Sequence, residues 1–187
     1  MSNIFEHISS RALAHVMRFN SRPQHFQESV AEHSFFTAYI ASILCDLLKK
    51  EGMEINQEKV LTMALIHDSE EIFSGDILCP FKHRSPELTK AIKLVNQELI
   101  KEVFDGLPQD LVSKYSDLWN EESRQESIEA QVVKLADQIS LIGKCSEEIT
   151  AGNEFFQKIY DREVELLKGN TKEWWLKIKS QVLSDTL

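Results

Sequence analysis

The chain has 187 residues, of which 42% are hydrophobic and 27% charged, with a formal net charge of −9. That balance predicts one soluble globular domain with a sizeable core. The acidic excess argues against wrapping a nucleic acid polymer, which needs clustered Lys and Arg. Three scattered cysteines, Cys45, Cys79 and Cys145, form no CxxC pair, so neither a disulfide framework nor a cysteine zinc site is indicated. The apolar run at 35–45 is too short to span a bilayer. The N-terminal stretch lacks the apolar core of a signal peptide. Reduced thiols and a cytoplasmic location are expected, with no membrane partner.

Only six Gly and four Pro interrupt the chain, and helical periodicity prevails. Ile4, Ile8, Leu13, Val16 and Met17 predict a first helix. A second starts near Ser29, carries Phe36, Tyr39, Ile40, Ile43, Leu44 and Leu47, and closes at Glu51-Gly52. Asn56 is an N-cap for a third, with Val60, Leu61, Ala64 and Leu65 on one side. Gly75, Pro80 and Pro86 mark 74–86 as a long loop. Ser85-Pro86-Glu87 opens the next helix, with proline where its missing N–H costs nothing. A shorter helix is expected at 108–119, a long one over 123–150 with Ile128, Val132, Leu135, Ile139 and Ile142 inward, and a last one near 171–183 carrying Trp174 and Trp175. The expectation is one all-α domain, a bundle of about six to eight helices.

The chemistry gathers in three places. Residues 64–76 read ALIHDSEEIFSGD, an apolar helix running into His67-Asp68. His33 stands near the start of the second helix, and Asp137 lies within the inward stripe of the longest one. A carboxylate among Val133, Leu135, Ile139 and Ile142 is costly to bury without positive charge. Its helical neighbours Lys134 and Lys144 read as out of phase, so a metal is the expected compensation. Two imidazoles and two carboxylates from three helices make a mixed N/O set suited to a divalent first-row metal, with positions open to water. Glu71 follows His67 by four residues and shares its face. Glu70 points a quarter turn away and is expected to be solvated.

His33, His67-Asp68 and Asp137 resemble the H…HD…D signature of the HD-domain metal-dependent phosphohydrolases, an all-helical family. HDSEEIFSGD is similar to the HDxxExxxGD stretch of the bacterial 5′-deoxynucleotidases, MRFNSRP to their N-terminal arginine motif, and KCSEEITAGNEF to their C-terminal KCxEExxAGNxEF run. The resemblance covers about residues 10–160 and implies a single HD domain over 1–187, with a C-terminal helix at 165–187. It implies removal of phosphate from deoxyribonucleoside 5′-monophosphates with a divalent cation such as Co²⁺ or Mn²⁺, and a homodimer. It places metal ligands at His33, His67, Asp68 and Asp137, with Glu71 in proton transfer. Arg18 falls at the phosphate-orienting arginine, whose fork can grip two oxygens. Substrate contacts fall at Arg18, Phe19, Asp68, Asp76, Ile77, Leu78, Cys79 and Asp137, with Asp76 against the sugar, where it disfavours a 2′-hydroxyl.

The match has departures. Phe19 stands where the family has tryptophan, and Leu78 and Cys79 where it has proline and threonine. Two other readings stay open: an HD phosphohydrolase acting on another phosphate ester or cyclic nucleotide, and a catalytically silent nucleotide-binding HD domain. His7, His15, His25 and His83 have no evident partner, although His83 could border the phosphate entrance. Trp174-Trp175 reads as core or interface packing.

Overall fold

The computed structural model describes residues 4–183, and among these the architecture is all-helical. In chain order the helices are α1 (Ile4–Ser9), α2 (Val30–Lys50), α3 (Gln57–Ile66), α4 (Glu71–Ser74), α5 (Cys79–Lys82), α6 (Pro86–Val103), α7 (Gln109–Arg124), α8 (Ile128–Thr150), α9 (Gln157–Lys168) and α10 (Glu173–Val182). Seven of them have ten or more residues. The expected all-α bundle is therefore present, and the short helical turns come in addition.

Helix α2 begins where its caps dictate. The Ser29 side chain accepts from the Glu32 N–H while the Glu32 carboxylate accepts from the Ser29 N–H, a reciprocal pair worth about 1 kcal/mol. The side chains of Asn56, Ser85 and Ser127 likewise accept from the N–H groups of Lys59, Leu88 and Ala130 at the starts of α3, α6 and α8, without the reciprocal bond. The expected first helix breaks instead. It ends at Ser9, a 3₁₀ turn covers Ala12–His15, and Met17 forms an isolated antiparallel bridge with Ser29. That bridge lays Arg18 beside Glu28, directly before α2.

Ala41, Leu44, Cys45 and Leu48 of α2 pack with Val60, Met63 and Ala64 of α3 and with Val132, Val133, Leu135 and Ala136 of α8. Trp174, Trp175 and Ile178 of α10 close this core. Ile100, Phe104, Val112 and Trp119 form a smaller one between α6 and α7. Phe36, Tyr39 and Ile43 do not join either core. They are exposed on the outer side of α2, together with Phe35.

Other boundaries move for local reasons. The 74–86 loop contains α5, whose proline sits in its first turn. Helix α7 runs to Arg124 and stops at Gln125, a left-handed residue at φ 55°, so α8 starts at 128 rather than 123. The expected C-terminal helix over 165–187 is two: α9 ends at Lys168, capped by Gly169, and α10 begins at Glu173. Its last four positions lie outside the described residues.

Candidate active site

Helices α2, α3 and α8 converge on four side chains. His33 lies one turn into α2 and is fully buried; His67 caps the C-terminus of α3; Asp68 follows it; Asp137 comes from the middle of α8. The His33 Nε2 atom is 3.3 Å from His67 Nε2, 3.1 Å from Asp137 Oδ1 and 3.7 Å from Asp68 Oδ2. His67 Nε2 is 3.1 Å from Asp68 Oδ2. The ligand atoms of His33, His67 and Asp68 all lie within 4.8 Å of one another. The structure thus groups His33, His67 and Asp68, and Asp137 stands outside that trio but within 3.1 Å of His33.

The surroundings fix which atoms are free. His67 Nδ1 donates to the Ala64 carbonyl at 2.9 Å, and since a carbonyl only accepts, the Nε2 lone pair faces the cluster. His33 Nδ1 lies 2.9 Å from Arg18 Nη1 and 3.1 Å from the Ser140 hydroxyl; a guanidinium only donates, so Nδ1 accepts from it, and the proton of a neutral His33 sits on Nε2, toward the cluster. Two imidazole nitrogens and two carboxylate oxygens so close together call for positive charge between them. Burial alone would lower the His67 pKa, yet Asp68 and Asp137 override it and raise it to about 10. Burial likewise opposes ionisation of Asp68 and Asp137, but His67 for the first and Lys134 for the second, with His33, hold both below the usual carboxylate range. A proton on an imidazole is here the stand-in for a cation. The donor set fits a divalent metal, and the mixed imidazole–carboxylate chemistry suits a first-row ion.

A second ring of charge surrounds the donors. Arg18 Nη1 donates to Glu28 Oε2 at 2.6 Å and stands 2.9 Å from His33 Nδ1. Lys134 Nζ pairs with Asp137 Oδ2 at 2.8 Å. The spacing judged out of phase therefore does reach, because Asp137 and Lys134 lie three residues apart and meet over one turn. Glu71 is buried, with Oε1 3.2 Å from Lys82 Nζ. Burial and the nearby Asp68 push its pKa up to about 8, against the pull of Lys82. Glu70 is not solvated. It is buried, accepts from Trp119 Nε1 at 2.9 Å, and is pushed up to about 7 by burial and Asp68.

All but one of the remaining predicted residues line a cavity of about 260 Å³, which Arg18 links to this cluster. Its walls include Arg18, Phe19, Asp76, Leu78, Cys79 and Phe155. Asp76 Oδ2 accepts from the Phe19 N–H at 2.8 Å, which fastens Phe19 at a positive φ of 53°. Ile77 is half-buried and is not part of that wall. A further cavity of about 250 Å³, lined by His67, Asp68, Lys82, His83, Lys134 and Asp137 among others, opens on the same donors. Sequence reasoning passed over Glu28, Glu122, Lys82 and Trp119 around this site. Lys82 carried the one available signal, a cation in the loop that follows the acidic run.

An all-helical domain that turns two imidazoles and two aspartates from separate helices onto one point, with an arginine and a glutamate beside them, defines an HD-domain phosphohydrolase. In fold it is similar to an HD-domain phosphohydrolase of Listeria innocua (TM-score 0.81, 24% identity, 97% of this chain and 85% of that one). It is also similar to a cyanophage S-2L HD phosphohydrolase bound to dA and one catalytic Zn²⁺ ion (TM-score 0.64, 16% identity, 97% and 94%). A 5′-deoxynucleotidase of Vibrio vulnificus is 33% identical over 156 residues, 83% of this chain and 79% of that one. The chain belongs to the family described as 5′-deoxynucleotidase YfbR-like, which it matches over residues 4–175. It is accordingly a metal-dependent hydrolase of phosphomonoesters.

Proposed function

We propose that the protein cleaves the phosphate from deoxyribonucleoside 5′-monophosphates, with a divalent cation held by His33, His67, Asp68 and Asp137. When bound, such a cation acidifies water and polarises phosphoryl oxygens. Arg18, held by Glu28, orients the phosphate and offsets its charge. We assign Glu71 the proton transfer that the motif resemblance implies, and its raised pKa suits a group that both takes and returns a proton near neutral pH. Phe19, Leu78 and Cys79 shape the nucleoside cavity, and Asp76 meets the sugar.

The observation that carries this reading is the cavity running from Arg18 to Cys79 alongside the converged donors. Homologues named 5′-deoxynucleotidase support the substrate. We further propose a homodimer, supported by the exposed Phe35, Phe36, Tyr39 and Ile43 on α2, and a cytoplasmic setting, supported by three free thiols. Among the described residues no helix is long and apolar enough to cross a membrane. The test is phosphate release from each deoxynucleoside monophosphate and its ribose counterpart with added Co²⁺, Mn²⁺ or Mg²⁺. Release from the deoxy series is expected. No release with any metal rejects the activity, and equal ribose rates reject the role of Asp76 in sugar choice.

A further inference from the structure

Three cations surround the donors, and the deoxynucleotidase reading uses only Arg18. Lys134 is committed to Asp137. Lys82 differs from both. It ends α5, on the same loop that begins at Asp76, and its Nζ lies 3.2 Å from Glu71 Oε1. Its backbone is pinned from two sides: the Thr89 hydroxyl donates to its carbonyl at 2.7 Å, and its N–H donates to the Leu78 carbonyl at 3.0 Å. Its side chain stays 29% exposed and lines the cavity shared with His67, Asp68 and Asp137, whereas Arg18 lines the other one.

We propose that Lys82 is a second phosphate-binding cation, which contacts a phosphoryl oxygen from the cavity away from Arg18 and holds Glu71 at the same time. An ammonium has three donors. Glu71 occupies one, and the rest of the ammonium is available to the cavity that His67, Asp68 and Asp137 also line. A tie serving only to close the fold has no need of that opening. A phosphoryl group arriving between the two cavities meets a guanidinium on one side and an ammonium on the other, and its charge is offset in a partly desolvated site where such contacts are strong. The loop 76–82 then joins the residue facing the sugar to the residue facing the phosphate.

The proposal rests on the deoxynucleotidase reading for its substrate, and its test separates the two. In Mn²⁺-loaded protein, calorimetry measures binding of inorganic phosphate and, separately, of a deoxynucleoside without phosphate. Lys82→Met is expected to weaken phosphate binding by about tenfold to a hundredfold, with metal content and deoxynucleoside binding unchanged, and Lys82→Arg is expected to restore part of it. Unchanged phosphate affinity in Lys82→Met, or an equal loss for the deoxynucleoside, overturns the proposal. A wild-type protein that hydrolyses no deoxynucleotide yet loses phosphate binding on Lys82→Met rejects the substrate and upholds the lysine.

Discussion

Helix α8 carries two groups of buried charge about 16 Å apart along its axis, and they are built on opposite principles. At Glu148 every need is met. Oε1 accepts from Lys144 Nζ at 2.8 Å and from the Phe26 N–H at 2.9 Å; Oε2 accepts from the His25 N–H at 2.9 Å and Asn153 Nδ2 at 2.8 Å. Burial works against ionisation there, yet Lys144 and the backbone donors pull the carboxyl down to about 2. Lys144 also reaches the Phe26 carbonyl, and Asn153 donates to the Pro23 carbonyl, so the cluster staples the segment after Arg18 to α8. Asp137 is paired too, with Lys134 and His33, but its surroundings are built the other way. Acids crowd one another: burial pushes Glu70, Glu71 and Glu122 up to about 7, 8 and 7, and two cavities reach the surface. Satisfied charge marks scaffold, and unsatisfied charge beside open space marks chemistry.

That contrast can be broken from either end. Asp137→Ala should abolish metal retention and turnover together, checked by metal analysis and phosphate release; an active, metal-loaded variant would dissolve the distinction. Glu71→Gln should lower turnover by about 10²- to 10⁴-fold while metal content holds, measured on the same preparation. Glu148→Ala should instead cost about 3–5 kcal/mol of stability, because it strands Lys144 in the interior. Denaturant unfolding reads this, and the fraction that folds should still bind metal.

The smallest effect is in pH. Glu70, Glu71 and Glu122 rise from an ordinary 4.5, and His67 from 6.5 to about 10. Groups with raised folded pKa values contribute stability that is whole below the unfolded value and fades as pH climbs through the folded one. Chelator-treated protein should therefore melt at progressively lower temperature from about pH 5 to about pH 9, and metal should flatten the slope. Glu148, with its lowered value, contributes evenly over that window and weakens only in acid. A chelated protein whose melting temperature rises over the same window would show that the Asp137 end is as well satisfied as the other.

The four residues proposed as metal donors were legible because imidazole and carboxylate in apolar helices at HD spacing leave few alternatives. So were the caps at Ser29, Asn56 and Ser85, which depend on residues three apart. Lys134 was misread because phase was judged on an ideal wheel, whereas a long side chain bends back across one turn. Glu70 was misread because its partner, Trp119, lies 49 residues away. The break after Ser9 and the extended Met17 arise from pairing with Ser29, a tertiary contact that no local period records. The α2 stripe misled for a similar reason: the small Ala38 and Ala41 join Leu44 and Leu48 in the core against α3 and α8, whereas Phe36, Tyr39 and Ile43 stay exposed.

Helix α2 is a rod about 10–12 Å across, with His33 buried on one flank and the rings of Phe35 and Tyr39 exposed on another. Nothing flexible lies between those flanks, so a body seated on the rings would press against the same stiff strut that aims the imidazole. Assembly and catalysis then share a mechanical part, and damage to the outer surface should register inside without any loop relaying it.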